Sequence, residues 1–166
     1  MNIVLHQPEI PHNTGAIGRT CLMTGTKLHL IRPYGFYLDE KSLKRSGLDY
    51  WHKLNVREYD SFSQFIETAE PASSPGHEGL SHTRFFLVET GGELTYADVK
   101  YQPDDYIIFG SETTGLPPWL LEQYAGRIIS IPMTGEERSL NLSVAAGIVL
   151  YEALRQNGFA NLSTNQ

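Results

Sequence analysis

Short apolar runs rich in β-branched and aromatic residues alternate along the chain with stretches whose apolar positions recur at helical spacing. The runs at 2–6, 27–31, 56–59, 84–88, 106–110 and 127–131 read as strands. Between most of them lie helical patterns: 14–24 closing at Gly25, 39–46 closing at Gly47, 61–69 after the cap candidate Asp60, 118–124 opening on Pro118, and 142–157 stopping at Gly158. Strand and helix in alternation predict an α/β fold, a mostly parallel sheet flanked by helices. The segment 71–82 is a cluster of turn residues without periodicity and reads as a surface loop. We expect one domain over 1–160 and a tail at 161–166.

The last helical stretch is apolar over most of its girth. Leu142, Ala145, Ala146, Val149 and Ala153 share one face, and Val144, Ile148, Tyr151 and Leu154 a neighbouring one. Such a helix wants two burial partners. Its own sheet is one; a second subunit is the expected other, burial wholly within one chain being the alternative.

A length of 166 residues, 40% of them hydrophobic, suits a single core. No apolar run approaches the roughly 18 residues that span a bilayer, and the first residues lack the basic lead of a signal peptide, so no membrane partner and a cytoplasmic location are expected. The lone Cys21 rules out a disulfide framework and a Cys-rich zinc site, and the six histidines lack metal-ligand spacing. No metal is expected. The net charge of −6 argues against nucleic acid until its distribution is considered: residues 1–57 carry +4, and the rest −10. A polyanion, if one binds, should meet the N-terminal third; a solvated basic face is the bland reading.

Ligands of open α/β sheets bind beyond the carboxyl ends of strands, and three exits are rich in Gly and small polar residues: 89–92, 109–117 and 131–141. Singly each could be a turn; together they suggest one composite pocket, with Asn141 capping the helix whose amino end faces it. There is no GxGxxG after the first strand, no GxxxxGK[ST] loop, and no nucleophile elbow around Ser111, which makes dinucleotide binding, ATP hydrolysis and Ser-His-Asp catalysis poor readings. At the other end of the chain Asn13 is a cap candidate, and Arg19 offers a fixed cation with a planar donor fork for phosphate or ribose oxygens, or else a structural salt bridge. Cys21 reads as a small core residue.

The segments NTGAIGRTC (13–21), IIFGSETTGLP (107–117) and ISIPMTGEERSLNLSVAAGIVLYEALRQ (129–156), in this order and spanning essentially the whole chain, resemble the motifs of the SPOUT-class RNA 2'-O-methyltransferases. With Gly47-Leu48-Asp49-Tyr50-Trp51, the closest likeness is to the minimal group acting on the anticodon wobble ribose, the tRNA (cytidine(34)-2'-O)-methyltransferases. The resemblance implies a deep C-terminal trefoil knot, S-adenosylmethionine bound in it, and a homodimer packed through the first and last helices. Position by position it implies cofactor contacts at Val88, Gly110, Glu112, Ile131, Met133, Ser139, Leu140 and Asn141. It implies catalytic roles for Asn13, Arg19, Ser139 and Asn141, and RNA contact for Arg138, to which the charge distribution adds Lys41, Lys44 and Arg45. Val144 departs from the wobble group, which usually carries Asn after the equivalent of Ser143. Methylation of another tRNA or rRNA nucleotide is the alternative, and a non-catalytic knotted RNA-binding protein or an unrelated small-molecule enzyme the readings from other classes.

A methyl on a sulfonium is already activated, so orientation of the ribose 2'-hydroxyl and loss of its proton are what such an enzyme must supply. A guanidinium stays protonated over the accessible pH range, which favours a positioning and charge-stabilising role for Arg19 over that of a base.

Overall fold

The strands at 2–6, 27–31 and 106–109 are almost wholly buried between helices on the two faces of one parallel sheet. The computed structural model describes residues 1–37, 50–69, 84–135, 139–160 and 162–163. The expected helix at 39–46, the loop at 71–82, and Lys41, Lys44, Arg45 and Arg138 lie outside the described residues. The strands are β1 (Asn2–His6), β2 (Lys27–Ile31), β3 (Val56–Tyr59), β4 (Phe85–Val88), β5 (Leu94–Thr95), β6 (Tyr106–Phe109) and β7 (Ile128–Ser130). Their order in the sheet is β3-β2-β1-β6-β4-β7-β5, and every pairing is parallel. The helices are α1 (Pro11–Thr24), α2 (Phe62–Ala69), α3 (Pro118–Gln123) and α4 (Leu142–Gln156).

Period-two alternation divides the core into two layers. Ile3, Leu5, Ile107 and Phe109 point to the face covered by α1 and α4, where they meet Ile17, Cys21, Ala146, Val149, Leu150 and Ala153. Val4, Ile108, Phe85 and Leu87 point to the other face, against Phe62 and Phe65 of α2 and Leu120 of α3. Cys21 is a core residue, and burial pushes its thiol up to about 12, which keeps it unreactive.

Two caps differ from the sequence reading. Pro11 starts α1 one turn earlier than expected, with Ile10 at its N-cap, so Asn13 lies inside the helix and its side chain is released for other partners. At α2 the Gln64 N–H is accepted by Ser61 Oγ at 3.1 Å, while Asp60 is drawn to Arg32 at 2.8 Å. Asn141 does cap α4, accepting from Ser143 N and Val144 N. The two-residue edge strand β5 was not expected, being too short for alternation to register.

Beneath α2 lies a buried histidine. His29 is 2% exposed, 2.8 Å from Tyr59 Oη and 3.3 Å from Asn2 Oδ1, and stacks on the Tyr59 ring. Asn2 Oδ1 can only accept, so Nε2 carries the proton and Nδ1 accepts from the tyrosine. Burial first, then Arg57 and Lys27, hold its pKa down to about 4. Since the unfolded chain binds this proton below about 6.5 and the native one only near 4, stability is complete above that window and falls as pH descends through it. Urea titrations should lose about 3 kcal/mol between pH 7 and pH 4 from this group. His29→Asn should have the shallower slope; equal slopes would show that His29 does not set the dependence.

Candidate active site

The carboxyl ends of β1, β6, β4 and β7 open into one cleft of about 530 Å³, closed on its near side by the starts of α1 and α4. That volume suits a nucleoside-sized ligand. All eight positions expected to hold a cofactor line it: Val88, Gly110, Glu112, Ile131, Met133, Ser139, Leu140 and Asn141, and Asn13 joins them. They come from three exits far apart in sequence, brought together because β6 lies between β1 and β4, with β7 on the far side of β4.

The loop leaving β6 is folded back on itself. Ser111 and Gly115 exchange backbone hydrogen bonds at 3.2 and 3.0 Å, and Thr114 N donates to Ser111 Oγ at 3.2 Å. Gly115 needs its left-handed φ of +68° to close this turn. A Cβ on Gly110 would stand 2.1 Å from the Gly115 carbonyl carbon and 2.3 Å from Leu116 N. Only glycine lets the two backbones touch there, which leaves peptide groups lining the cleft.

A chain of side chains ties this loop to both helices. Glu112 accepts from Glu9 N at 2.8 Å, Ile10 N at 3.2 Å and Asn13 Nδ2 at 2.9 Å. Glu9 returns the contact by accepting from Thr113 N at 2.9 Å. With its amide nitrogen turned to Glu112, Asn13 offers Oδ1 to Asn141 Nδ2 at 2.9 Å; Asn141 Oδ1 is thereby left for the orphan N–H groups of α4. The carboxylate thus fixes the orientation of two amides and, through them, the start of α4. This explains the residue types at all three positions, of which the sequence read Asn13 and Asn141 as caps and named Glu112 only by resemblance.

Arg19 is placed elsewhere. Six residues past Asn13 on α1, it is about 9 Å along the axis and turned by about 240°. It is exposed and does not line the cleft; its guanidinium lies 4.8 Å over the Tyr50 ring, whose hydroxyl donates to Gly15 O at 2.6 Å. Among the described residues no carboxylate pairs with it. Trp51 packs on the same helix at Gly18, its ring 3.1 Å from where a Cβ on that glycine would be. The Tyr50-Trp51 pair singled out in the sequence therefore supports the helix that carries Arg19.

The sequence reading placed Glu89 and Thr90 in a candidate exit without giving either a role, and missed Ile10, Leu142 and Ala145 as lining residues. Glu89 belongs to a strand exit, but nothing in its neighbours separates it from an ordinary turn. Among the described lining residues the charges are Glu89 and Glu112, both negative. Among the described residues no group of three or more His, Cys, Asp or Glu is placed to hold a metal ion, and no helix is long and apolar enough to cross a membrane.

Along nearly its whole length the chain is similar to known RNA methyltransferases. A tRNA (cytidine(34)-2'-O)-methyltransferase of Escherichia coli strain K12 is 43% identical over 160 residues, covering 96% of this chain and 95% of that protein. A solved structure described as giving insight into 2-OH methylation of C/U34 on tRNA superposes with a TM-score of 0.83 at 41% identity, covering 95% of each chain. The SpoU methyltransferase AviRb from Streptomyces viridochromogenes, solved with its cofactor AdoMet, has a TM-score of 0.75 at 25% identity, covering 95% of this chain and 57% of that one. Residues 1–151 match the SpoU rRNA methylase family, and with that extent of match and these likenesses the chain belongs to it.

Proposed function

We propose that this protein transfers a methyl group from S-adenosylmethionine to the ribose 2'-hydroxyl of the wobble nucleotide 34, cytidine or modified uridine, of tRNA. The observation that carries the reading is the convergence of Val88, Gly110, Glu112, Ile131, Met133, Ser139, Leu140 and Asn141 on one cleft beside Asn13. The wobble ribose as target rests on the relatives, which are near full-length matches. The cleft fits the cofactor chemically. Backbone edges freed by Gly110 suit a nucleoside, and two carboxylates without a neighbouring cation among the described lining residues suit a sulfonium. When bound, the cofactor supplies an activated methyl group. The chain's own part is to hold it through the three exits, to fix Asn13 and Asn141 through Glu112, and to orient the hydroxyl. The reading includes a trefoil knot in the C-terminal part, one domain over 1–160 with the tail 161–166, a cytoplasmic location, and RNA contact by Lys41, Lys44, Arg45 and Arg138.

It also includes a homodimer. Val144 and Tyr151 of α4 are each 49% exposed, and Met23 of the adjacent α1 is 66% exposed, whereas Val149 is fully buried within its own chain. Among the described residues, the second apolar face of α4 is thus left half-exposed at Val144 and Tyr151. Arg19 stands outside the cofactor cleft of its own chain, so its part in the reaction is on the RNA side, toward its own cleft or across the dimer toward that of the second subunit. Tyr151→Glu or Val144→Glu should give a monomer by sedimentation at micromolar concentration. A parent that is itself monomeric there would count against the dimer.

The function is tested by incubating the protein with radiolabelled S-adenosylmethionine and either total tRNA or ribosomal RNA. Label should enter tRNA; incorporation confined to ribosomal RNA would move the target.

A further inference from the structure

Two carboxylates line the cleft, and the fold uses them differently. Glu112 accepts from three donors, all belonging to α1 or the loop before it. Glu89, the first residue past β4, accepts from Thr90 N on Oε1 at 3.0 Å and from Leu116 N on Oε2 at 3.0 Å. A carboxylate offers about four acceptor positions, so these two bonds leave roughly one on each oxygen. Thr90 Oγ1, at 3.5 Å from Oε1, is at the outer limit of a further bond.

The group is also held in place. Its own N–H donates to Ile129 O of β7 at 3.1 Å, and its carboxylate rests against Gly115, where a Cβ would stand 2.6 Å from Oε2. A preorganised carboxylate with spare acceptor capacity therefore stands at the carboxyl end of a parallel strand, in the wall of the cleft. It is two strand steps, roughly 10 Å, from the β1 side where Asn13 and Asn141 meet.

A nucleoside cofactor brings two vicinal hydroxyl donors on its ribose, and an acidic side chain near the end of a strand is a recurrent α/β solution for such a diol. We propose that Glu89 accepts hydrogen bonds from the 2'- and 3'-hydroxyls of the cofactor ribose and so selects ribonucleoside over deoxyribonucleoside ligands. This rests on the reading of the cleft as the S-adenosylmethionine site. It assigns Glu89 to binding, apart from the Glu112–Asn13–Asn141 chain.

Calorimetry with S-adenosylhomocysteine and its 2'-deoxy and 3'-deoxy counterparts tests it on wild type and Glu89→Gln. Wild type should prefer the ribo ligand by about tenfold or more over at least one deoxy form, and Glu89→Gln should reduce that ratio to within about twofold. The ratio does not depend on the folded fraction of the variant. Equal weakening of all three ligands would make Glu89 only a clamp for the Leu116 turn and overturn the proposal, as would a wild type indifferent to the deoxy change. Failure of wild type to bind any of the three would instead sink the cofactor reading, and the proposal with it.

Discussion

Gly110→Val should lower affinity for S-adenosylmethionine at least about 100-fold and abolish methyl transfer, the loss expected when binding groups are displaced by about 1 Å. The cause is local. A Cβ at 110 would overlap Gly115 and Leu116, which are backbone and cannot rotate away as a side chain could. Relief requires breaking the Ser111–Gly115 pair and with it the Leu116 N–H bond to Glu89. The loop between β6 and α3 would then leave the position that the three exits share. Calorimetry reads the affinity, and circular dichroism of the same sample reads the fold. Binding within about threefold of wild type would show that the cleft is not formed by this turn.

Arg19→Ala should leave fold and cofactor affinity intact and reduce turnover by about 100-fold to 1000-fold, the range for removing one fixed charge or donor from a transition state. Exposure and the absence of a carboxylate partner among the described residues argue that its removal costs little stability. Arg19→Lys should rescue poorly, since an ammonium lacks the planar fork and stacks less well on Tyr50. If the partner subunit's Arg19 completes each cleft, mixing Arg19→Ala with Gly110→Val subunits should restore about a quarter of wild-type turnover, because half of randomly exchanged dimers carry one intact site of two. Full retention of turnover by Arg19→Ala would contradict any role in the reaction.

The strands were legible because alternation and β-branched runs are local signals, and β1, β2 and β3 fall where periodicity places them. The start of α1 was misread because Asn13 is a good cap by type, but Pro11 fixes an earlier start and Asn13 serves Glu112 and Asn141 instead. Glycine-rich strand exits pointed to a composite pocket, yet the order that joins them depends on β6 inserting between β1 and β4. Such nonlocal pairing has no local signature. The exit 89–92 was legible as a pocket segment, but the tie from Glu89 to Leu116, 27 residues away, was not. The two apolar faces of α4 were visible in its pattern, Val149 falling on the face that the chain's own core covers; the division within the second was not, where Leu154 is buried while Val144 and Tyr151 are half-exposed.

The most direct test of the account is the position of the methyl group. Unmodified tRNA incubated with the protein and S-adenosylmethionine, then cut with a base-specific nuclease and sequenced by mass spectrometry, should gain 14 mass units, the mass of one methyl replacing hydrogen, on the ribose of nucleotide 34. The Gly110→Val protein should add none. A methyl on a base, or on a ribose elsewhere in the tRNA, would contradict the account.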